Sequence, residues 1–276
     1  MRTEPVIYDV CRYQIWDPGR KEHMDVDKFV SVAPVQEFNV CRATIADYYT
    51  DPHTSWFFDQ MLEKKMPTTF YFVTNQKIDT NSARAAKKHL DYLDKAIYSR
   101  VNQIGCPLVL DVEIKGQNHK FNNDMIYRIL KDGEQKYGHK FLIYTGSYAW
   151  DEIMGKKEWH REYELWMAWY AKVGESQKLP DELRMPSTFE RKNLIMHQTT
   201  DKADGKAKGC TSYGLDLSRW VHESKTASEW MNDFNDNPTT PPDPPVDPPI
   251  EENCDQIENE RDELQEILQQ IKGLVC

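Results

Sequence analysis

The stretch "PLVLDVEIKG", residues 107–116, sets two carboxylates into an apolar run. Leu108, Val109 and Leu110 read as a buried strand, and Asp111, Val112 and Glu113 follow directly. Strand side chains alternate between faces with period two. Asp111 and Glu113 therefore point one way, and Leu110 and Val112 the other. A barrel accommodates this pattern. The outward face of a barrel strand packs under helices and is apolar, while its inward face near the C-terminal end opens into an active-site mouth.

Working outward, β-like runs recur at 6–12, 38–46, 68–75, 107–114, 140–147, 164–171, 194–200 and 213–220. Helical stretches separate the first five, among them "SWFFDQMLEKKM", "SARAAKKHLDYLDKAIYSRV" and "NDMIYRILKDGEQKYG". Their apolar residues recur at three- and four-residue spacings. After the fifth run the connections turn polar, and the last, "DKADGKAKGCTS" (201–212), reads as loop. Alternating strands and helices predict a parallel sheet. Eight strands within this length predict an α/β fold, a modified TIM-like (β/α) barrel with few helices after strand five. The alternative, an open doubly wound sheet, usually carries a Gly-rich phosphate loop after its first strand. "DVCRYQIWDPG" is not such a loop.

Two further acids sit in comparable runs, Asp9 in "VIYDVCR" and Asp216 in "YGLDLSRW". Strands one and eight are neighbours in a closed barrel, so four carboxylates converge on one mouth. The plainer reading makes them strand-end acids paired with Arg12, Arg42 or Lys115. It weakens with four acids, because burying a charge without a partner is costly. Clustered carboxylates cannot all ionise comfortably, so one pKa rises. A protonated glutamate beside a charged aspartate is the glycosidase pattern. Cβ atoms two apart on a strand stand roughly 6 to 7 Å apart, which permits a short carboxyl separation. The same mouth is aromatic: Tyr71, Tyr144, and the alternating Trp166, Ala168 and Tyr170 of "LWMAWY". Aromatic faces with scattered polar groups suit sugar rings.

Charge and composition narrow the alternatives. The chain has 276 residues and a formal charge of −10. Residues 238–276 hold ten acids and two bases, so residues 1–237 carry only −2. Nothing there argues for nucleic-acid binding. There is no run of eighteen apolar residues to span a membrane, and "MRTEPVIYDV" lacks the apolar core of a signal peptide. The expectation is synthesis in a cytoplasm. The six cysteines show no CxxC spacing, against a zinc site. Cys11, Cys41 and Cys106 read as buried thiols.

The ordered motifs resemble the family 25 glycoside hydrolases, the Chalaropsis-type lysozymes, from about residue 5 to 221. "IYDV" is similar to that family's opening Asp strand, "CRAT" to its second strand, and "PLVLDVE" to its Asp-x-Glu strand. "LWMAWY" resembles its Trp-x-Ala-x-Tyr strand, and "HQTT" with "GLDLSRW" its Gln strand and closing Asp strand. The resemblance implies cleavage of the β-1,4 bond between N-acetylmuramic acid and N-acetylglucosamine in bacterial peptidoglycan. It implies Glu113 as general acid and base. Asp111 would stabilise the transition state or orient the substrate acetamido group as nucleophile. Asp9 and Asp216 would hold hydrogen bonds and set the local charge, and Gln198 would join the sugar-binding wall. It implies no metal and no cofactor. Three positions depart from the family pattern: Cys11 for Ser, Phe72 for His and His197 for Trp. They are expected to alter the sugar-binding walls. A glycan-binding protein that kept the fold and lost turnover is the competing reading.

A boundary falls in "DNPTTPPDPPVDPPIEEN" (236–253), whose proline density excludes helix and sheet and favours a polyproline II spacer. The expected organisation is a catalytic barrel over 1–235, a linker over 236–253 and a short helix over 254–276. Cys254, Ile257, Arg261, Leu264, Leu268, Ile271 and Val275 fall at alternating spacings of three and four, a heptad seam. The seam predicts a homo-oligomer through residues 254–275. Absence of a leader and an appended C-terminal segment resemble a phage endolysin or a virion-borne lysozyme, acting on the wall after release.

Overall fold

The computed structural model describes residues 5–34, 36–170 and 184–236. Eight strands close into a barrel: β1 Val6–Val10, β2 Gln36–Ile45, β3 Thr68–Val73, β4 Val109–Asp111, β5 Leu142–Gly146, β6 Leu165–Ala168, β7 Leu194–Asp204 and β8 Gly214–Trp220. Neighbours in sequence are neighbours in the sheet, and β1 pairs with both β2 and β8 to close it. Helices α1 (Thr54–Glu63), α2 (Ser82–Ile97) and α3 (His119–Tyr137) cross over between β2, β3, β4 and β5. Only the six-residue α4, Ala149–Met154, and a 3-10 turn lie between β5 and β6. No described helix is long and apolar enough to cross a membrane.

Local sequence sets the helix ends. The Asn81 and Asn118 side chains accept from the N–H groups of Arg84 and Phe121, capping α2 and α3. Gly138 ends α3 at φ 76°, a conformation that costs glycine nothing. The alternation read from "PLVLDVEIKG" holds. Leu110 and Val112 are buried in the outer core, with Leu93 and Ile97 of α2 and Ile126 and Ile129 of α3. Val109 faces the barrel interior, among Ile7, Val40, Leu142 and Trp166.

Two expectations are corrected. The sheet is parallel only through β7, since β8 runs antiparallel to both β7 and β1. The segment read as loop over 201–212 begins as strand, because β7 continues to Asp204 and pairs there with Gly214. A hairpin, not a crossover helix, therefore completes the barrel. It reverses the last strand and brings Asp216, near the start of β8, to the same end as Asp111.

The sequence reading also passed over α5, Ala227–Asp236. Its Ala227, Trp230 and Met231 join the interior cluster with Phe38 and Trp220, closing the end opposite the mouth. Trp230 Nε1 donates to Glu164 at 2.7 Å. Thr226 and Glu229 cap one another reciprocally across α5's first turn, the T-x-x-E pattern visible in "TASE". The linker beyond Asp236 and the heptad helix over 254–276 lie outside the described residues.

Candidate active site

The mouth of the barrel is a cavity of about 300 Å³. Every residue proposed from the sequence lines it: Asp9, Asp111, Glu113, Asp216, Tyr71, Tyr144, Trp166, Tyr170 and Gln198. One more acid, Asp201, lines it too. Asp201 was missed because it lies in the segment taken for loop. The hairpin geometry of β7 and β8 carries it to the rim.

Strand register explains the convergence. Asp9 on β1 pairs directly with Asp216 on β8. Asp111 ends β4 opposite Tyr144 on β5, and Tyr144 pairs with Trp166 on β6. The Asp111 carbonyl accepts from both the N–H and hydroxyl of Thr74, at 2.9 and 3.0 Å. Val112 N–H donates to the Tyr144 carbonyl at 2.9 Å. These bonds continue the strand geometry one residue past its end, so Glu113 projects into the mouth beside Asp111.

Gln198 ties the far wall together. Its Nε2 donates to Asp9 Oδ2 at 2.9 Å. Its Oε1 accepts from the hydroxyls of Tyr144 and Tyr170, both at 2.8 Å. These three side-chain bonds all run to residues of the cavity. Trp166 is fixed through its indole N–H, which donates to Ser218 Oγ at 2.9 Å.

The acids differ in environment. Asp9 and Asp111 are buried, whereas Glu113 stands at the open side. Burial pushes the Asp9 carboxyl well above the usual carboxylate range, and the nearby Asp216 and Asp111 push it further. Burial likewise raises Asp111, with Glu113 adding to it and Arg42 opposing. Protein atoms packed around the Glu113 carboxyl raise it as well, against a stabilising backbone hydrogen bond from Gly146. Asp216 is raised to about 6, mainly by burial and despite its hydrogen bond with Asp9. One oxygen of Asp111, Oδ1, is buried with no hydrogen-bond partner among the described residues.

The plainer reading, in which local cations neutralise these acids, fails on the pairing. Arg42 bonds Asp51 at 3.1 Å. Lys115 pairs with Glu152, and the Arg12 guanidinium meets the Tyr13 hydroxyl at 3.1 Å. The expectation for the three departures is also corrected, since none of them lines the cavity. Phe72 faces the outer core against Phe141. His197 is buried, with Nε2 2.7 Å from the Trp169 carbonyl. The Cys11 thiol donates to Gln14 Oε1 at 3.2 Å. Cys11, Cys41, Cys106 and Cys210 are free and buried.

Solved structures share this fold. A bacterial lysozyme from Streptomyces coelicolor superposes with a TM-score of 0.65 at 16% identity, covering 86% of this chain and 100% of its own. A muramidase from Acremonium alcalophilum gives 0.60 at 16% identity, covering 82% and 97%. The catalytic domain of endolysin ply40, from bacteriophage P40 of Listeria monocytogenes, gives 0.57 at 15% identity, covering 84% and 98%. No curated protein sequence matches the chain. The family model for glycosyl hydrolases family 25 matches residues 22–208. That segment contains Asp111, Glu113 and Gln198, while Asp9 and Asp216 fall on either side of it and meet across the β1–β8 pair. A match over most of the chain, on a barrel whose mouth gathers those acids, places the protein: it belongs to the family 25 glycosyl hydrolases.

Proposed function

We propose that this chain hydrolyses the β-1,4 bond between N-acetylmuramic acid and N-acetylglucosamine in bacterial peptidoglycan. The observation that carries the reading is one cavity holding Asp9, Asp111, Glu113 and Asp216 under tyrosine and tryptophan walls. Glu113 is the general acid and then the general base. It is the most accessible of the four, and its raised pKa keeps a proton available above the ordinary glutamate range. As the glycosidic bond breaks, positive charge develops on the sugar ring, and a carboxylate nearby stabilises it. Asp111 fills that role when the proton it shares with Glu113 sits on Glu113, the more accessible of the two. The unpartnered oxygen of Asp111 is also complementary to a substrate N–H, as an acetamido group directed at the anomeric carbon would supply. Asp9, hydrogen-bonded to Asp216, holds Gln198, which in turn orients Tyr144 and Tyr170. Tyr71 and the exposed Tyr170 offer the sugar ring apolar faces, with the buried Trp166 backing the wall behind them. Nothing in the cavity favours a protein that only binds glycan.

The test is to incubate the protein with purified peptidoglycan and read the released fragments by mass spectrometry. New reducing ends on muramic acid are expected. Reducing ends on glucosamine alone, or intact strands, would reject the reading.

The tail has a separate role. The heptad spacing of residues 254–275, after the proline-rich stretch, supports a role in associating chains. Several catalytic heads then engage one wall at once, which raises effective affinity without new contacts. This suits an enzyme that acts on the wall after release from the cell that made it. Light scattering should show the full chain associated and a chain ending at Asn237 monomeric. A full chain that stays monomeric at tens of micromolar (roughly, since so short a coiled coil is marginal) would exclude self-association.

A further inference from the structure

A peptidoglycan strand presents two chemistries to this mouth. Its N-acetyl sugars are neutral, and its peptide stems carry carboxylates. The cavity holds Asp9, Asp111, Glu113, Asp201 and Asp216, so a substrate carboxylate is repelled from it and must settle beyond the rim. Arg12 is a cation placed near that rim by the chain itself. Arg12 follows Asp9 by three residues, in the helical turn Arg12–Ile15 that leaves the top of β1. Its guanidinium lies 4.7 Å from the centre of the Tyr13 ring and 5.7 Å from that of Tyr49.

The position of Arg12 is fixed from below. Its backbone N–H donates to Asp51 Oδ2 at 2.9 Å. The Asp51 carboxylate is fully buried and also takes the Arg42 guanidinium at 3.1 Å. Arg42, 5.6 Å from the Tyr49 ring, is therefore neutralised by Asp51. Among the described residues no carboxylate pairs with the guanidinium of Arg12, which meets only aromatic rings and tyrosine hydroxyls. Tyr13 itself is 59% exposed. A solvent-facing guanidinium set against two rings, on the turn that follows the Asp9 strand, keeps the N–H donors that the tyrosine hydroxyls do not take open to a planar anion.

We propose that Arg12, carried on Tyr13 and Tyr49, is a specificity determinant that binds a carboxylate of the substrate's peptide stem. The inference rests on the peptidoglycan reading above and adds which part of the polymer is recognised. It makes the mouth bipolar: acids for the sugar undergoing hydrolysis, and a cation for the stem.

The test compares the full-length wild type with Arg12→Ala and Arg12→Lys. The substrates are soluble strands with free stem carboxylates and the same strands with those carboxylates capped as amides. On free strands Arg12→Ala should raise KM about tenfold with kcat unchanged, the signature of lost ground-state binding. Arg12→Lys should recover part of the loss. On capped strands wild type and Arg12→Ala should coincide. A KM loss that persists on capped strands, or a fall in kcat and melting temperature on both substrates, would mean that Arg12 only braces the loops. An equal loss on stem-stripped strands, which keep only the lactyl carboxylate, would overturn the stem assignment. Equilibrium binding of wild type and Arg12→Ala to free and capped strands reads the same ratio without turnover. A wild type that binds free strands in an Arg12-dependent way but releases nothing rejects the hydrolase reading and leaves this one standing.

Discussion

Glu113→Gln should leave the barrel folded and lower the release of reducing ends by at least about a hundredfold, the usual scale for loss of a general acid. The side chain lies beyond the last residue of β4 and takes one backbone hydrogen bond, from Gly146. An amide of the same size accepts that bond equally well, so stability has little to lose. What the amide cannot do is deliver a proton to the departing sugar oxygen or take one from water. Wild-type activity should fall on the alkaline side as Glu113 ionises. That limb should lie above the ordinary glutamate range, because the surrounding protein raises its pKa. The residual activity of the variant should lack it. A thermal melt and a pH profile on the same preparations check both parts. Near-normal turnover in a folded Glu113→Gln variant would remove Glu113 from the mechanism.

Asp216→Asn should move stability and activity in opposite directions. Asp216 is raised to about 6 in the folded protein, against about 3.9 for an unperturbed aspartate. The folded state therefore binds a proton that the unfolded state has already lost, and stability falls as pH rises through that window. The penalty is absent below about pH 4 and complete above about pH 6. Asparagine removes the charge and can donate to Asp9, which already accepts from Gln198. At pH 7 the variant should be more stable by on the order of 1 to 2 kcal/mol, a rise in melting temperature of a few degrees. At pH 4 the two proteins should melt together. Hydrolysis should drop, because the charge shared by Asp9 and Asp216 is lost from the cavity. A variant less stable than wild type at pH 7 would show that the Asp9–Asp216 bond contributes more than the repulsion costs.

Most of the barrel was legible because each strand is short, apolar and bounded, and its period shows which face an acid occupies. Asp111 and Leu110 needed nothing more. The direction of β8 was not legible, since a strand's polarity relative to its neighbours depends on the connection before it. "DKADGKAKGCTS" is polar enough to pass for a surface loop, yet its first residues pair with β8, and Asp201 was lost with it. The α5 helix left a usable trace in Thr226 and Glu229, but its role in closing the barrel is a tertiary fact. The three departures from the family pattern were misjudged for a related reason. A departure from a family pattern marks a position and not a direction: alternation sends Phe72 outward, His197 is buried against Trp169, and the Cys11 thiol bonds Gln14.

The pairing of β1 with β8 has a temporal side. Asp9 and its hydrogen-bond partner Gln198 stand 189 positions apart, with Asp9 the first of the two to be made. Chains emerge from the ribosome N-terminus first, and contacts between distant residues form late. Until β8 is synthesised, β1 lacks one neighbour, Asp9 lacks Asp216, and the ring of strands is open. A nascent or prematurely terminated chain therefore carries the Asp111–Glu113 pair without its opposing wall. The four-acid mouth is thus a property of the closed barrel and of no single segment of it: Asp111 and Glu113 come from one strand, and the wall that faces them from the pairing of the first strand with the last.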